Sequence, residues 1–405
     1  MSKPDITLVF PTSPFLINQT MFPPLGIMYL SAYLKIYGMT AQCLDMAIGH
    51  TPDMAESDLI GLSFTTPQRD EAYKLARYYK SLGKTVIAGG PHPTHMKAEC
   101  LANGIDKVLK GYGEVPLMQY LLGGKPHPNV LYGGSNNGLF TPFPDRDALP
   151  IKEYYQEIEK RPSTPIIASR GCPFSCSFCA KISRKFYVQN AERTILELEH
   201  LEHKYGFKAF SIYDDTIAVD KSRLSIMAQR LQGHDYKFRC FCRADLLGNE
   251  KICEDLALMG VVDVGIGVES GSNAILKLNM KRSTNNVNTI AVKNLRKYGI
   301  RSKAFLIVGL PGETAQTVKE TEEWIELAKP DDIAVSIFQP LPGSNIFADP
   351  EKWGIEFEYN NNPMWYRGTP GEYQPTVRTK ELSVQDIIKL RDDLEGKFKC
   401  SSQLL

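Results

Sequence analysis

At 405 residues the chain has room for two to three domains, each able to bury its own core. Hydrophobic residues make up 43% and charged residues 23%, and 47 basic against 46 acidic side chains leave a formal net charge of +1, which gives no electrostatic footprint for nucleic acid or an anionic membrane surface. No apolar run reaches the roughly 18 residues that cross a bilayer, and the first residues, Met1-Ser-Lys-Pro-Asp-Ile6, enter a strand pattern without a secretory apolar region, so a cytoplasmic protein is expected.

Residues 1–125 alternate short apolar runs with helical patterns. The expected strands are Ile6–Phe10, Ala41–Asp45, Leu59–Phe64, Thr85–Ala88 and Lys107–Lys110, with helices such as Leu25–Tyr37 and Gln68–Leu82 between them. That alternation implies a parallel, doubly wound sheet. Ligands on such sheets bind beyond the carboxyl ends of the strands. Those ends carry Thr12, then Thr65 and Thr66, then the loop Gly89, Gly90, Pro91 to Thr94, then Gly111, Gly113 and Glu114. Glycine there lets backbone approach a ligand closely; ordinary turn chemistry is the plain alternative, and both readings stay open. His92 and His95 read as loop residues rather than ligands.

Residues 126–163 read as a linker, loosened by Gly133-Gly-Ser-Asn-Asn-Gly138 and stiffened by the prolines between Pro142 and Pro150. A helical piece is expected over Ile151–Lys160. From Thr164 to about Ala348 the alternation resumes. The expected strands are Pro165–Ser169, Ala209–Asp214, Tyr236–Arg243, Val262–Glu269, Lys303–Gly309 and Ile333–Gln339. Helices over Ala191–Tyr205, Lys221–Leu231, Asn249–Met259, Asn286–Tyr298 and Ala315–Ala328 separate them. Six βα units are two short of a closed eightfold barrel, so a partial (β/α)6 barrel with an open side is expected. Chemistry in barrels collects at the carboxyl ends of the strands.

The first of those ends carries Cys172, Cys176 and Cys179, three and then two residues apart, in a run opened by Gly171-Cys-Pro173. Thiolates this close can converge on one metal centre, and soft sulfur selects zinc, copper(I) or iron–sulfur clusters. Three ligands in one loop leave a four-iron cluster with one iron open. A structural zinc site completed by Cys240, Cys242 or Cys253 is the alternative. A disulfide framework fits poorly with 9 cysteines, an odd count. The second strand ends on Asp214 and Asp215, carboxylates suited to an ammonium group or a ribose, or to capping a helix. In Arg239-Cys-Phe-Cys-Arg243 the two-residue strand period places Arg239, Phe241 and Arg243 on one face. Cys240 and Cys242 then face the outer helices as small hydrophobes. Gly265 to Gly271 ends the fourth strand with Glu269 and Ser270, acceptors fit for a ribose. Gly309 and Pro311 end the fifth, and Pro340 and Pro342 the sixth.

The stretch 349–405 loses the alternation. Trp353, Tyr359, Trp365, Tyr366 and Tyr373 lie among asparagines, glycines and prolines. A last helix is expected from Ser383 as N-cap to about Lys399, with Asp386 in the capping-box position and Val384, Ile387, Ile388, Leu394 and Phe398 as its apolar face. A cap packed over the open side of the barrel and an aromatic substrate lid are the two readings of this region.

From about Thr164 to Ala348 the chain resembles the radical S-adenosylmethionine superfamily: the cysteine spacing, Gly265-Ile-Gly-Val-Glu-Ser-Gly271 and Asn279-Met-Lys-Arg282 carry the likeness. Pro23-Pro-Leu-Gly26, the Gly89–Thr94 loop and Gly111-Tyr-Gly-Glu114 resemble the cobalamin-binding domain that precedes many such cores, with a flavodoxin-like sheet. The resemblance implies a 4Fe–4S cluster on Cys172, Cys176 and Cys179, whose open iron chelates S-adenosylmethionine and whose electron releases a 5′-deoxyadenosyl radical. It implies cofactor contacts at Phe178, Asp214, Asp215, Arg243, Glu269, Ser270, Gly309, Pro311, Pro340 and Pro342, with Arg243 pairing the cofactor carboxylate. The N-terminal strand-end residues, from Thr12 to Glu114, would then cradle cobalamin. Histidine-ligating relatives carry Asp-x-His-x-x-Gly after the first strand; this chain has Pro11-Thr-Ser-Pro-Phe-Leu-Ile-Asn18 there. Asp45 to Gly49 keeps an aspartate and a glycine one strand later, with Ala47 in the histidine position. Bound cobalamin is therefore expected without a histidine ligand.

The implied function is a cobalamin-dependent radical enzyme that methylates an unactivated carbon of a small molecule or peptide. Its electrons would come from a donor such as flavodoxin or ferredoxin, and no nucleic-acid or membrane partner is expected. Ring formation or rearrangement, a cobalamin-like domain that binds no corrinoid, and a non-catalytic zinc or iron–sulfur module are the alternatives.

Overall fold

A computed structural model describes residues 3–13, 16, 18–123, 142–359 and 374–398. It divides into two compact units, Met1–Gln156 with Lys181–Ser183, and Glu157–Ala180 with Arg184–Leu405.

The first unit holds β1 (Ile6–Phe10), α1 (Leu25–Ile36), β2 (Ala41–Asp45), β3 (Leu59–Ser63), α2 (Arg69–Ser81), β4 (Thr85–Gly89), α3 (Pro91–His95), α4 (Lys97–Ala102), β5 (Lys107–Val108) and α5 (Glu114–Leu121). The five strands are parallel in the order β2-β1-β3-β4-β5, with a reversal of winding at β1 and β3. Val9, Ile60, Leu62 and Val86 on the strands bury against Ala72, Ala76 and Tyr79 of α2. Part of the expected linker is bonded into this unit. Ser31 Oγ and Lys35 Nζ each lie 2.6 Å from Asp145 Oδ2, and Tyr154 Oη donates to Asp45 Oδ2 at 2.6 Å. The stretch 133–138 lies outside the described residues.

Ile151–Lys160 is not a helix. A single 3-10 turn over Ile151–Glu153 leads into β6 (Gln156–Ile158), and Glu159 and Lys160, at φ 49° and 62°, turn it back into β7 (Arg161–Ile166). The cause is burial with period two: Gln156 and Ile158 are buried and Glu157 is exposed, which a strand satisfies and a helix does not.

The second unit continues with β8 (Ser169–Arg170), β9 (Tyr187–Val188), α6 (Ala191–Tyr205), β10 (Ala209–Ile212), α7 (Lys221–Leu231), β11 (Lys237–Arg243), α8 (Ala244–Leu247), α9 (Glu250–Leu258), β12 (Val261–Glu269), α10 (Asn273–Leu278), α11 (Asn285–Lys297), β13 (Arg301–Val308), α12 (Ala315–Ala328), β14 (Asp332–Ile337), α13 (Asn345–Ala348), β15 (Ile355–Phe357), β16 (Val377–Thr379) and α14 (Val384–Phe398). Its main sheet runs β14-β13-β12-β11-β10-β7-β6, and the six strands from β7 to β14 are parallel. Alternate residues face opposite ways, so Cys240, Cys242, Val264, Ile266, Ala304 and Leu306 bury on one face. Arg239, Phe241, Gly265 and Phe305 share the other, where Phe241 and Phe305 ring centroids lie 5.9 Å apart over Gly265.

The last helix, α14, starts as expected: Ser383 Oγ accepts from Asp386 N at 3.2 Å, and Asp386 Oδ2 accepts from Ser383 N at 3.0 Å. It packs against β14, β13 and α12. Its buried face is Ile387, Arg391, Leu394 and Glu395, so Val384, Ile388 and Phe398 of the expected apolar face are not its buried positions. Trp353 packs beside Ile355 and Val377, and Tyr359 lies against Phe347 at 5.4 Å. Trp365, Tyr366, Tyr373 and Lys399 lie outside the described residues.

Candidate active site at the cysteine loop

β8 and β9 pair antiparallel, Ser169 with Val188 and Arg170 with Tyr187, and the loop they enclose carries all three cysteines. Asp214 clamps its entrance. Oδ1 accepts from Ala168 N and Ser169 N at 2.7 and 2.8 Å, and Oδ2 accepts from Ser169 Oγ at 2.6 Å. Burial raises the Asp214 pKa, against the Arg223 charge and these donors, which lower it. Asp214 is thus spent on holding the loop, while Asp215 is exposed.

The middle of the loop is pinned through Ser177, which stands between two cysteines. Its N and Oγ both donate to Asn279 O at 3.1 Å, and its carbonyl accepts from Ile346 N at 3.2 Å. Asn279 Nδ2 in turn donates to Ile275 O and Pro311 O, each at 3.1 Å. Phe178 packs on a buried cluster of Ile275, Leu310, Phe338 and Ile346. Cys172 and Cys176 are buried, Cys179 is exposed, and all three are free thiols. Among the described residues no three His, Cys, Asp or Glu side chains group to hold a single metal ion. A four-iron cube takes each thiolate on a separate iron, and three soft donors in one pinned loop suit that wider spread.

Cys240, Cys242 and Cys253 lie in the buried outer layer. Burial pushes the thiols of Cys242 and Cys253 up to about 12, and lifts that of Cys240 well above the usual thiol range. They are neutral small hydrophobes, as strand parity implied for Cys240 and Cys242; Cys253 lies on α9.

Arg243 ends β11 beside the loop. Its Nη1 donates to Cys176 Sγ at 3.3 Å, and its guanidinium carbon lies 3.9 Å from the Phe174 ring centroid. Nε and Nη2 grip Asp245 at 2.8 and 3.0 Å, and Nη2 also donates to Lys281 O at 2.6 Å. Four of the five guanidinium N–H groups are therefore committed, and a two-pronged grip on a carboxylate is not open to it. Lys281 Nζ donates to Glu269 Oε1 at 2.6 Å in a buried pair. The strand end is bulged at Gly267 and Glu269, which re-aims Glu269 at φ 68°. A Cβ on Gly267 would meet Glu269 Oε1 at 2.6 Å and Lys281 Nζ at 2.8 Å, so only glycine leaves room for the pair.

Ser270 turns away from this group. Its hydroxyl lies 3.3 Å from Thr321 Oγ1 and accepts from Ser272 N at 3.1 Å. Gly309, at φ 93°, donates its N–H to Glu313 Oε2 at 2.6 Å, and burial pushes the Glu313 carboxyl up to about 8. Pro340 and Pro342 are buried ahead of Ser344, which caps α13 by accepting from Phe347 N at 3.1 Å. Asn279, Lys281, Asp245, Phe174 and Glu313 were not among the expected site residues. Only the run Asn279–Arg282 carried a signal, and its lysine is brought in by left-handed Met280 and Arg282, at φ 56° and 55°.

In the first unit the strand-end loops are tied together. Gln68 caps the loop of Thr65 and Thr66, and its Nε2 donates to Pro11 O at 2.7 Å, next to Thr12. Thr94 Oγ1 donates to Gly90 O at 2.8 Å and accepts from Gly111 N at 3.1 Å. At Gly90, φ 100°, a Cβ would lie 2.9 Å from Phe64 O. Gly113 packs against Leu30, and Glu114 is buried at the start of α5. Gly89 and Pro91 flank Gly90 at the end of β4 and the start of α3. His92 is a buried helix residue rather than a loop one: Nδ1 lies 3.2 Å from Thr66 Oγ1 and Nε2 3.0 Å from Tyr73 Oη. Both its nitrogens are occupied, so it is not arranged as a ligand. His95 ends the same short helix. Asp45 Oδ1 accepts from Ala47 N at 2.9 Å, a cap on the turn rather than part of a cobalt-ligating motif.

Two family models match the chain: the radical SAM superfamily over residues 166–325 and the B12 binding domain over residues 19–121. An uncharacterized methyltransferase of Pyrococcus horikoshii is 27% identical over 96% of this chain and 91% of its own length. An anaerobic magnesium-protoporphyrin IX monomethyl ester cyclase of Rubrivivax gelatinosus is 26% identical over 81% of this chain and 66% of its own. Among solved structures, the radical S-adenosylmethionine methyltransferase TsrM of Kitasatospora setae, with cobalamin and a [4Fe-4S] cluster bound, matches 90% of this chain and 82% of that one at a TM-score of 0.72 and 17% identity. OxsB with aqua-cobalamin bound matches 94% of this chain and 65% of that one at 0.72 and 19%. These likenesses in structure show a shared fold. The cofactors that belong to the two matched domains are a 4Fe–4S cluster, S-adenosylmethionine and cobalamin. With its thiol loop at the carboxyl end of a six-stranded half-barrel, and a doubly wound B12-binding domain earlier in the sequence, the chain is an enzyme built from a radical SAM domain and a B12-binding domain, the pairing that marks the cobalamin-binding branch of the radical SAM superfamily.

Proposed function

We propose that the enzyme transfers a methyl group to an unactivated carbon of a small molecule or peptide. The carrying observation is the pinned loop of Cys172, Cys176 and Cys179 with Arg243 against Cys176, in one chain with a B12-binding domain. The similarity to the Pyrococcus methyltransferase supports the same outcome. When bound, the cluster and S-adenosylmethionine supply a radical that removes hydrogen, and cobalamin supplies the methyl group.

In this reading the three cysteines hold the cluster. Glu269 accepts from a ribose, and flat backbone at Gly309 and Pro311 runs beside an adenine, with Phe178, Pro340 and Pro342 closing the same end. Asp214 acts on the loop rather than on the cofactor. Thr65, Thr66, Gly89, Gly90, Pro91, Gly111, Gly113 and Glu114 frame the corrinoid, with Thr12 beside them and no histidine from the loop after β1. Electrons come from a flavodoxin or ferredoxin in a reducing cytoplasm; the eight described cysteines are all free thiols, and no helix among the described residues is long and apolar enough to cross a membrane.

The test uses protein reconstituted without oxygen with iron, sulfide and hydroxocobalamin, then reduced with methyl-labelled S-adenosylmethionine. The expected result is label on the corrinoid with one S-adenosylhomocysteine released per methyl group, and label on product once the substrate is supplied. Formation of 5′-deoxyadenosine with no methylated species in any incubation overturns methyl transfer. That outcome favours ring formation, the reading supported by similarity to the Rubrivivax cyclase.

A further inference from the structure

The arginine beside the cysteine loop has features that loop support alone does not require. Arg243 is buried, its guanidinium is fixed by at least four hydrogen bonds, and one face lies on the Phe174 ring. A guanidinium stays protonated at any working pH, and its planar fork does not adapt. The structure therefore places a permanent positive charge 3.3 Å from one particular sulfur, that of Cys176.

We propose that Arg243 and Asp245 together set the reduction potential of the cluster held by this loop, Arg243 raising it and Asp245 restraining that rise. The inference rests on the cluster reading above and adds a function for two residues next to it. Reduction adds one electron and thus one negative charge to the cluster and its thiolates. A nearby fixed cation favours the more negative state, so the electron is accepted at a higher potential. An N–H···S bond to a ligating sulfur acts in the same direction, since it withdraws density from the thiolate. The counter-charge is arranged to weaken this effect without cancelling it. The Asp245 side chain is 26% exposed against 7% for Arg243, so water screens the carboxylate more than the guanidinium. Asp245 also binds through Nε and Nη2, the edge of the fork away from Nη1, which leaves Nη1 facing the sulfur.

The arrangement makes a prediction of opposite signs that a purely structural role does not. Arg243→Gln removes the charge and keeps a donor amide. Asp245→Asn removes the counter-charge and keeps the size of the side chain. Arg243→Lys keeps the charge. Each protein is reconstituted with iron and sulfide, its iron and sulfide content measured, and its cluster titrated electrochemically with electron paramagnetic resonance as the readout, before any S-adenosylmethionine is added. The expected result is a midpoint potential below wild type for Arg243→Gln, above wild type for Asp245→Asn, and near wild type for Arg243→Lys, all at full cluster content. Equal potentials in wild type, Arg243→Gln and Asp245→Asn overturn the proposal, as do shifts of the same sign in the two charge variants. Should Arg243→Gln fail to assemble a cluster, Asp245→Asn decides alone: a potential at or below wild type overturns the inference. A wild-type protein that assembles no cluster is a different result, since it removes the cluster reading itself.

Discussion

Changing Glu313 to glutamine should flatten the dependence of stability on pH. Glu313 is 1% exposed, its carboxyl accepts from Gly309 N at 2.6 Å, and among the described residues no cation shifts its titration. Burial raises its pKa, the N–H groups of Gly309 and Leu310 lower it, and burial wins, leaving it at about 8 against 4.5 for the free side chain. The folded state thus holds a proton that the unfolded chain has already lost between those values. The stabilisation is complete below pH 4.5 and is lost as pH rises through 8, at roughly 1.4 kcal/mol per pH unit. From pH 5 to pH 8 the wild type should lose roughly 4 kcal/mol relative to Glu313→Gln, which keeps an acceptor for the same N–H groups but no charge. Urea denaturation of both proteins at pH 5, 6, 7, 8 and 9 measures this. Curves that stay parallel across the range, or a wild type that gains on the variant as pH rises, would refute the reasoning.

Three further outcomes follow from the geometry. Asp214→Ala strands the N–H groups of Ala168 and Ser169 and the Ser169 hydroxyl, each at about 1–3 kcal/mol; thermal melts should show a large loss, and iron bound after reconstitution should fall although every cysteine is present. Gly265→Ala puts a methyl 2.5 Å from Phe305 Cε2 and 2.7 Å from Phe241 Cδ1, and displacing those rings should cost about 1–3 kcal/mol; an unchanged denaturation midpoint would contradict that packing. His92→Leu takes the ring partner from Thr66 Oγ1 and should weaken retention of added hydroxocobalamin on gel filtration while leaving iron content unchanged; equal corrinoid retention would show that His92 does not support the Thr66 loop.

The main elements were legible because the residues facing each way differ in kind. β11 reads Lys-Phe-Arg-Cys-Phe-Cys-Arg, and its alternation separates Arg239 and Phe241 from the buried Cys240 and Cys242 without any tertiary information. The cysteine loop was legible for a similar reason: three soft ligands within eight residues have few uses. What failed was local conformation set from elsewhere. Glu159 and Lys160 adopt left-handed φ to close a hairpin, and neither residue type signals it, so Ile151–Lys160 read as a helix. α14 buries Arg391 and Glu395 in place of Ile388 because Arg391 Nε reaches Val335 O on β14, at 3.3 Å. Side-chain roles at the site were harder still. Asp214, Arg243 and Ser270 stand at strand ends suited to a ligand, yet their partners are Ser169, Cys176 with Asp245, and Thr321, contacts that exist only once the strands and helices are assembled. Lys281 reaches Glu269 across twelve residues through a bulge and two left-handed positions, a path that no spacing rule describes.

The cluster on Cys172, Cys176 and Cys179 is tested most directly by electron paramagnetic resonance of the reconstituted, chemically reduced protein, recorded with and without S-adenosylmethionine. The account predicts a reduced four-iron signal that changes when the sulfonium compound is added, and no such signal from Cys176→Ala. A protein that carries zinc in place of iron, or a cluster signal identical in both samples, would contradict it.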